Sequence, residues 1–356
     1  MQNCIDIRAA ECPTTTMNCE KQPVCTVCIA NYNGLQLIDA CVQSVMAQDC
    51  DFDVEIIVHD DASTDGSAQY IRERYPQVKV IASGENVGFC ISNNRMVDSA
   101  RGEYILLLNN DAALFPDALR TLHDAATSMT GAAILGLPQY DASTGKLIDI
   151  GSRFDLFLNP VPNLDPARNE VGMVIGACLW LPRGLWDELG GFPDWFGSLA
   201  EDMLLCCLAR LYGYKVLAVP KSGFSHWVGK SLGGGKVTGN RLSTKATRRA
   251  LSERNKNYVM ALVFPSPFLY LILPLHFTLL LTEGFILCMI RCDWKIFSSI
   301  YLASIKSQWS SRDILCNERK GIQARRRTGA RQFFSVFQCL PHKLELLVKY
   351  GMPHIN

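Results

Sequence analysis

Hydrophobic and polar positions alternate in blocks along residues 24–126, and each block has the period of a strand or of a helix. Short apolar runs, typical of strands buried on both faces, occur at 24–30, 54–58, 78–82 and 104–108. Between them, apolar residues recur at helical spacing over 35–47, 67–75, 87–100 and 116–126. Strands that alternate with helices predict βαβ units in a doubly wound, mostly parallel α/β sheet.

The pattern is less regular from residue 131 to residue 245. It predicts strands over 131–137, 171–181 and 215–219, and helices over 182–189 and 199–211. The Gly-rich segment 222–239 predicts a mobile loop. Residues 1–22 carry charges and have no long apolar stretch, so they predict a flexible tail and not a signal peptide.

A change in composition marks residues 246–356 as a C-terminal helical region. The stretch 258–290 holds a single charged residue, Glu283, and exceeds the roughly 20 residues that cross a bilayer, although prolines interrupt it. Basic residues then dominate 312–331. Because this combination is typical of an anionic membrane surface, we expect the region to lie on or re-enter the membrane. A helical subdomain packed on the preceding residues is the alternative.

Composition narrows the class of protein. Of the 356 residues, 48% are hydrophobic and 19% are charged, with a net charge of +1. A disordered chain is excluded, and nucleic acid is not expected as a partner. The 15 cysteines include Cys25 and Cys28. These two lie on one predicted strand and therefore point to opposite faces, which indicates reduced, structural thiols and not a metal site.

Polar residues follow three of the predicted strands: Asn31 and Asn33 the first, Asp60 and Asp61 the second, and 109–111 the fourth. In an open α/β sheet, ligands bind outside the carboxyl ends of the strands. The sequence has neither a G-x-G-x-x-G after the first strand nor a P-loop. A bound phosphate would therefore be neutralised by a metal on carboxylates, for which Mg²⁺ or Mn²⁺ is suited.

Several blocks together resemble family 2 glycosyltransferases with the GT-A fold, and most closely their rhamnosyltransferase-like branch. They are His59-Asp60-Asp61-Ala62-Ser63-Thr64-Asp65-Gly66, Asn86-Val87-Gly88-Phe89, Asn93-Asn94-Arg95, Leu107-Leu108-Asn109-Asn110-Asp111, Gly176-Ala177-Cys178-Leu179-Trp180-Leu181, Gly190-Gly191-Phe192, Glu201-Asp202 and His226. Their order and spacing fit over roughly residues 23–230. The Q-x-x-R-W block of the processive synthases is not found, which favours transfer of a single sugar.

The resemblance implies a GT-A catalytic domain over 23–245 that performs an inverting transfer. The donor would be a dTDP-, UDP- or GDP-sugar, and the acceptor a hydroxyl of a glycan or glycolipid that we expect to be lipid-linked. The implied setting is cell-surface polysaccharide synthesis at the cytoplasmic face of the inner (plasma) membrane, with the protein peripheral or monotopic.

The resemblance also implies the site residues. The donor-binding set is Ala30, Asn31, Asn33, Asp60, Asn86, Gly88, Asn94, Asn109, Asn110 and Lys230. Asp111 would be the main carboxylate on the metal and His226 would complete the site, while Asn109 stands where the family's D-x-D motif has its first Asp. Asp202 would be the catalytic base, with Glu201 orienting it or binding the acceptor.

Ordinary structural roles remain open for the same residues. Asn86 and Gly88 also fit a capped turn, and His226 fits a structural histidine. Glu201 and Asp202 also fit the acidic first turn that a helix dipole favours.

Two other functions remain as alternatives. A sugar-phosphate nucleotidyltransferase would want a Gly-rich, basic loop after the first strand, where this chain has Asn31-Tyr32-Asn33-Gly34. An inactive nucleotide-sugar-binding or scaffold protein is favoured by Asn109.

Overall fold

The computed structural model describes residues 22–227, 234–238 and 241–355. Its strands are β1 (Cys25–Asn31), β2 (Val54–Asp60), β3 (Lys79–Ala82), β4 (Tyr104–Asn109), β5 (Ala112–Leu114), β6 (Ala133–Gly136), β7 (Gln139–Asp141), β8 (Leu147–Asp149), β9 (Ser152–Asp155), β10 (Pro160–Pro162), β11 (Cys178–Pro182), β12 (Lys215–Ala218), β13 (Phe224–His226), β14 (Gly234–Thr238), β15 (Arg241–Thr244), β16 (Phe337–Gln338) and β17 (His354–Ile355).

The helices carry the same sequential numbering. They are α1 (Ile38–Met46), α2 (Ser67–Arg74), α3 (Phe89–Asp98), α4 (Ala118–Thr127), α5 (Arg183–Leu189), α6 (Glu201–Leu211), α7 (Ala246–Val263), α8 (Phe268–Arg291), α9 (Trp294–Ile296), α10 (Ala303–Ser310), α11 (Arg312–Ala324), α12 (Ala330–Phe333) and α13 (His342–Tyr350). Short 3₁₀ turns at Asp194–Phe196 and Phe334–Val336 and a π-helix at Phe297–Leu302 complete the helical segments.

The central sheet has seven strands in the order β12-β6-β11-β4-β1-β2-β3. The chain starts in the middle at β1 and winds outwards in both directions, and β11 alone runs antiparallel to its neighbours. This confirms the predicted doubly wound, mostly parallel α/β fold. Both faces are buried, since Cys25 and Cys28 on β1 belong to two different hydrophobic clusters. Every cysteine in the described part of the chain is a free thiol.

A four-stranded sheet in the order β5-β13-β7-β8 lies beside the central one. The loop predicted over 222–239 is wrong in part, because Phe224–His226 is a strand of this sheet and Gly234–Thr238 is a strand that pairs with β15 in a separate three-stranded sheet. In β13, His226 pairs with Ala112 of β5, directly after Asp111. The glycines of this segment have no side chains, so the alternation of apolar and polar residues by which a strand is predicted was not visible in the sequence.

The strand predicted over 171–181 is present only from Cys178 onwards. Before it, the backbone N–H of Val171 donates to Val216 and the N–H of Met173 donates to Ser152, so this buried segment changes partners from residue to residue. Because this segment is buried on both sides, it has the continuous apolar composition that is typical of an inner strand, and the sequence pattern therefore predicted a strand here.

The apolar run 258–290 is divided between two helices with different surroundings. The last turns of α7, over 258–263, are buried in the main core. In contrast, α8 has an exposed apolar face, and only 28% of its apolar 18-residue segment is buried. Among the described helices it is the one whose length and composition would allow it to cross a membrane. Pro274 lies inside α8 without ending it.

The hydrophobic cluster under one face of the central sheet includes residues from both halves of the chain. Leu107 and Leu179 on the sheet and Leu204 on α6 share this cluster with Val259 and Val263 on α7. The predicted division into residues 23–245 and 246–356 stays a prediction.

Candidate functional site

The carboxyl ends of β1, β2 and β4 meet at one edge of the central sheet. The register pairs Asn31 with Asp60 across β1 and β2, and Ala30 with Asn109 across β1 and β4. The structure therefore brings together the residues that the sequence placed after separate strands, as parallel neighbours require.

Asn31 is the centre of a buried hydrogen-bond network at this edge. Its amide nitrogen donates to Asp60 Oδ1 and to Ser67 Oγ, each at 2.9 Å. Its amide oxygen accepts a hydrogen bond of 2.9 Å from Asn110. A Cβ on Gly34 would come within 2.2 Å of the Asn31 and Asn110 side chains, so this position requires glycine. The network fixes the side chains of Asn31, Asp60 and Asn110 relative to one another at the sheet edge.

Asp60 and Asn33 hold the turn that follows β2. The backbone N–H of Ser63 donates to Asp60 Oδ2 at 3.1 Å. The N–H of Thr64 donates to the Asn33 side chain at 2.8 Å, and Asn33 itself adopts a left-handed conformation with φ 49°. These contacts preorganise the loops on which a nucleotide would rest, and the donor-binding roles of both residues stay predictions.

Asp61 is a structural residue to which the sequence assigned no role. Its carboxylate is buried and accepts hydrogen bonds from the backbone N–H groups of Val87 at 2.7 Å and Gly88 at 2.9 Å. The side chain of Asn86 lies 3.5 Å from the Asp61 carbonyl oxygen. Asp61 therefore anchors the loop that carries Asn86 and Gly88 to the sheet edge.

Asn94 contacts protein groups with both ends of its amide. Its nitrogen donates to the Phe192 carbonyl at 2.7 Å and to Asp194 at 2.8 Å, and its oxygen accepts from the Phe192 N–H at 3.1 Å. It therefore links α3 to the turn that leads into α6. Its predicted contact with the donor stays a prediction, and Lys230 lies outside the described residues.

Asp111 and His226 form the predicted metal pair, and both are buried. His226 Nε2 lies 3.0 Å from Asp111 Oδ1, while Nδ1 lies 2.7 Å from the Gln139 amide. The β13–β5 pairing brings these residues together across 115 positions of sequence. Gln139 can orient the imidazole in the way that outer-shell partners of metal-binding histidines do.

The side-chain atoms available here as metal ligands suit a hard divalent cation that a bound diphosphate would also coordinate. Asn109 Oδ1 is buried and has no hydrogen-bond partner among the described residues. No group of three or more His, Cys, Asp or Glu side chains gathers around one point within residues 22–227, 234–238 and 241–355. The protein thus offers one carboxylate, one imidazole and one amide oxygen, and a metal here would need oxygen ligands from substrate phosphates and water, as Mg²⁺ commonly does.

Glu201 and Asp202 begin α6, and a strained turn delivers them. Leu199 and Ala200, directly before them, both have left-handed backbone angles, with φ 73° and 68°. Such a conformation is costly for residues with a Cβ and persists where neighbours enforce it. Asn255 on α7 does so, because its amide nitrogen donates to the carbonyls of Ser198 at 2.9 Å and Leu199 at 2.7 Å.

The two carboxyl groups lie in different surroundings: Glu201 is buried and Asp202 is half-buried. Asp202 accepts hydrogen bonds from the N–H groups of Gly176 at 2.9 Å and Met203 at 2.7 Å. Burial raises the pKa of Asp202, and these two N–H groups oppose the rise. Glu201 Oε2 has no hydrogen-bond partner among the described residues. Burial, with the charge of Asp202 as a smaller cause, raises the pKa of Glu201 to about 8.

Hydrogen bonds through two adjacent residues connect Asp202 to the edge of the sheet that carries Asn109. Its carboxylate holds the N–H of Gly176, and the carbonyl of the next residue, Ala177, accepts a hydrogen bond of 3.2 Å from the N–H of Asn109. The start of β11 therefore fixes Asp202 relative to Asn109 and Asp111.

Sequence reasoning missed two residues of α7 that serve this site, Asn255 and Arg248. Arg248 lies in the electrostatic field of both Glu201 and Asp202, and it is the charge that favours their ionised forms. No local pattern marks either residue, since each meets the site only through packing of α7 on the core.

The chain is similar in sequence to known glycosyltransferases. Residues 26–189 match the sequence model of Glycosyl transferase family 2. A curated relative, N-acetylglucosaminyl-diphospho-decaprenol L-rhamnosyltransferase of Mycobacterium tuberculosis (strain CDC 1551 / Oshkosh), is 23% identical over 236 residues, which cover 58% of this chain and 76% of the relative.

Solved structures share the fold. Mannosyltransferase PcManGT from Pyrobaculum calidifontis, in complex with GDP-Man and Mn²⁺, superposes with a TM-score of 0.50 at 17% identity and covers 86% of each chain. S. aureus TarS 1-349 in complex with UDP gives a TM-score of 0.51 at 18% identity and covers 87% of this chain and 91% of the other. These likenesses confirm the GT-A fold.

Proposed function

Because this chain is a family 2 glycosyltransferase of the rhamnosyltransferase-like branch, we propose that it transfers one sugar with inversion from a nucleotide-diphosphate sugar to a hydroxyl of a lipid-linked glycan. The cell-surface polysaccharide setting and the lipid-linked acceptor belong to the proposal. The name of the mycobacterial relative, which acts on a diphospho-decaprenol substrate, supports them.

One observation carries the proposed mechanism: the hydrogen-bond path from Asp202 through Gly176 and Ala177 to Asn109 fixes a half-buried carboxylate near the edge of the sheet proposed to bind the donor. A single displacement needs one base on the acceptor side. In the proposed step, Asp202 takes the proton of the acceptor hydroxyl while the oxygen of that hydroxyl attacks the anomeric carbon of the donor sugar. The bond from that carbon to the diphosphate oxygen breaks, and the nucleoside diphosphate leaves with the electron pair.

Mg²⁺ or Mn²⁺ would supply positive charge to the leaving diphosphate. We assign its side-chain ligands to Asp111 and His226, whose facing atoms lie 3.0 Å apart, with Asn109 beside them. The Mn²⁺ bound to the mannosyltransferase of the same fold supports a divalent cation here. Gln139 would keep the imidazole in position, and the Asn31 network would support the nucleotide.

We place the protein at the cytoplasmic face of the inner (plasma) membrane, as a peripheral or monotopic enzyme. The exposed apolar face of α8 supports contact with lipid. Deleting residues 258–356 would not test membrane contact by itself, because the deletion would also remove residues 258–263 from the main core. Substitutions on the surface of α8 test the same idea without opening the core.

Purified protein incubated with Mn²⁺, a panel of dTDP-, UDP- and GDP-sugars and lipid-linked acceptors tests the proposed function. We expect release of nucleoside diphosphate from one donor, together with a glycosylated acceptor. Release of pyrophosphate would instead identify a nucleotidyltransferase, and donor binding without turnover would identify an inactive binding protein. Either result would overturn the proposal.

A further inference from the structure

A cavity of about 490 Å³ lies between α7, α8 and α13. Its wall is formed by Arg248 of α7, by Leu279 and Glu283 of α8, and by Lys343 and Leu347 of α13, among others. The volume falls within the roughly 300–1,000 Å³ of pockets that bind small ligands. Among the described residues, none of those predicted from the sequence for donor, metal or catalysis lines it.

The mouth of this cavity is apolar and open. Leu279 and Ile286 of α8 and Leu344 and Leu347 of α13 line the cavity and are each between 40% and 53% exposed. Leu271 and Leu275, also exposed, continue the same stripe of α8 at helical spacing. Contiguous exposed apolar side chains of this kind mark contact with lipid or with an apolar ligand.

The wall of the cavity carries more basic than acidic side chains. Three basic side chains, Arg248, Arg249 and Lys343, line it against one acidic side chain, Glu283. Lys343 lies 2.8 Å from both Glu253 and Glu283, and Arg249 forms ion pairs with the same two carboxylates. Arg248 lines the same cavity, and its charge favours the ionised forms of Glu201 and Asp202. Arg248 is therefore the basic residue that relates this cavity to the proposed base.

We propose that the cavity binds the lipid-phosphate end of the acceptor, an isoprenoid diphosphate. Its hydrocarbon chain lies against Leu279, Ile286 and Leu347, and its phosphates contact Arg248. An anion with an apolar chain matches both the charge and the surface of this cavity, whereas a free phosphate matches only the charge and an uncharged hydrocarbon chain only the apolar surface. The inference rests on the proposed function, since it assigns the acceptor subsite of that reaction.

This arrangement explains why the C-terminal helices adjoin the active site. A phosphate at Arg248 would bring the attached sugar towards Asp202, whose ionised form the charge of Arg248 favours. Holding the acceptor hydroxyl in position converts a bimolecular encounter into an oriented one. Arg248 would then be a specificity-determining residue for the lipid-linked acceptor.

Direct binding of farnesyl diphosphate to the full chain, measured by calorimetry, tests the proposal. We expect affinity at least about tenfold higher than for inorganic pyrophosphate, which has the charge alone, and for farnesol, which has the chain alone. Leu347→Glu and Arg248→Gln should each weaken binding by about tenfold or more. Val348→Glu on the same helix and Lys245→Gln before α7 are matched controls outside the cavity wall, and they should leave binding unchanged.

Equal affinity for farnesyl diphosphate and pyrophosphate, or for farnesyl diphosphate and farnesol, would overturn the proposal. So would an equal loss of binding in Leu347→Glu and Val348→Glu. Nucleoside diphosphate release with the donor panel is a separate measurement. Sugar transfer without farnesyl diphosphate binding would reject the cavity alone, and binding without sugar transfer would reject the proposed function on which the cavity's role depends.

Discussion

At the scale of single residues, Glu201 and Asp202 show how environment separates two neighbouring acids. Two backbone N–H groups stabilise the anion of Asp202, whereas Glu201 is buried with one oxygen unpartnered among the described residues. With the pKa of Glu201 raised to about 8, this residue is protonated at neutral pH. Burial also raises the pKa of Asp202, but the N–H groups of Gly176 and Met203 oppose that rise. Pairs of acids pushed apart in this way commonly have different catalytic roles.

Asp202→Asn should abolish turnover and retain donor binding. The amide cannot accept the acceptor's proton, and loss of a general base typically costs about 10²- to 10⁴-fold in rate. Single-turnover kinetics and donor titration would measure the two effects separately. Glu201→Gln is the matched control and should keep most of the activity; the reverse ranking of the two variants would make Glu201 the base.

Glu201 should also make stability depend on pH. Since burial raises its folded-state pKa from about 4.5 to about 8, the folded protein holds a proton that the unfolded chain releases. Its contribution is complete below pH 4.5 and is lost as the pH rises towards 8, with a slope of up to about 1.4 kcal/mol per pH unit. Glu201→Gln should flatten this part of the curve in urea unfolding between pH 5 and pH 8. An unchanged slope would contradict the raised pKa.

Asp111→Ala should weaken metal-dependent donor binding by at least about tenfold, because it removes the carboxylate of the proposed pair. Titration of Mn²⁺ in the presence of a nucleotide sugar measures this. Asp49→Ala, which alters only a surface ion pair with Arg120, should leave the titration unchanged. A normal Mn²⁺ response in the Asp111 variant would exclude the metal role.

At the scale of elements, the end of α7 and most of α8 belong to one apolar stretch of sequence but lie in different surroundings. The end of α7 fills the core under the sheet, whereas Leu271 and Met289 on α8 are exposed. Composition alone predicted that the whole run lies on or re-enters the membrane, with a packed helical subdomain as the alternative. The break between them, from Phe264 to Pro267, decides which apolar residues the protein itself covers.

Replacing Leu271 and Met289 together by Gln should reduce binding to anionic phospholipid vesicles by about tenfold or more. Each leucine-sized side chain contributes roughly 1.5–3 kcal/mol when fully buried, so two partly inserted side chains account for such a loss. Vesicle sedimentation measures the partitioning. The pair Leu147→Gln and Leu164→Gln, exposed residues remote in sequence from α8, serves as control and should not change it. Equal losses in both pairs would argue against α8 as the lipid-contacting element.

At the scale of the whole molecule, the C-terminal helices complete the catalytic half. Val259 and Val263 of α7 are fully buried in the cluster that contains Leu107 of the sheet. Asn255 adds hydrogen bonds to the turn before Glu201, and Arg210 of α6 bonds to the Gln332 carbonyl at 3.2 Å. These contacts predict that residues 23–245 depend on the C-terminal helices for a stable fold.

A chain that ends at residue 245 should therefore fail to unfold cooperatively and should bind an apolar dye, since it exposes one face of its sheet. Thermal melts and dye fluorescence would show this. Removing only residues 351–356 is the control and should preserve a cooperative transition. A cooperative melt for the shorter chain would instead support the predicted domain boundary.

Sequence alone determined the doubly wound core and the residues at its edge. Apolar periodicity is a local property, and the carboxyl ends of parallel strands must meet, so the pattern of the chain was enough to place Asn31, Asp60 and Asn109 together. The family resemblance placed His226 with Asp111, and only the tertiary structure showed the strand pairing that joins them, turned Asn255 towards the loop before Glu201, and set Arg248 where its charge acts on Asp202. These contacts join elements far apart in sequence, and packing, which leaves no repeating pattern along the chain, decides them.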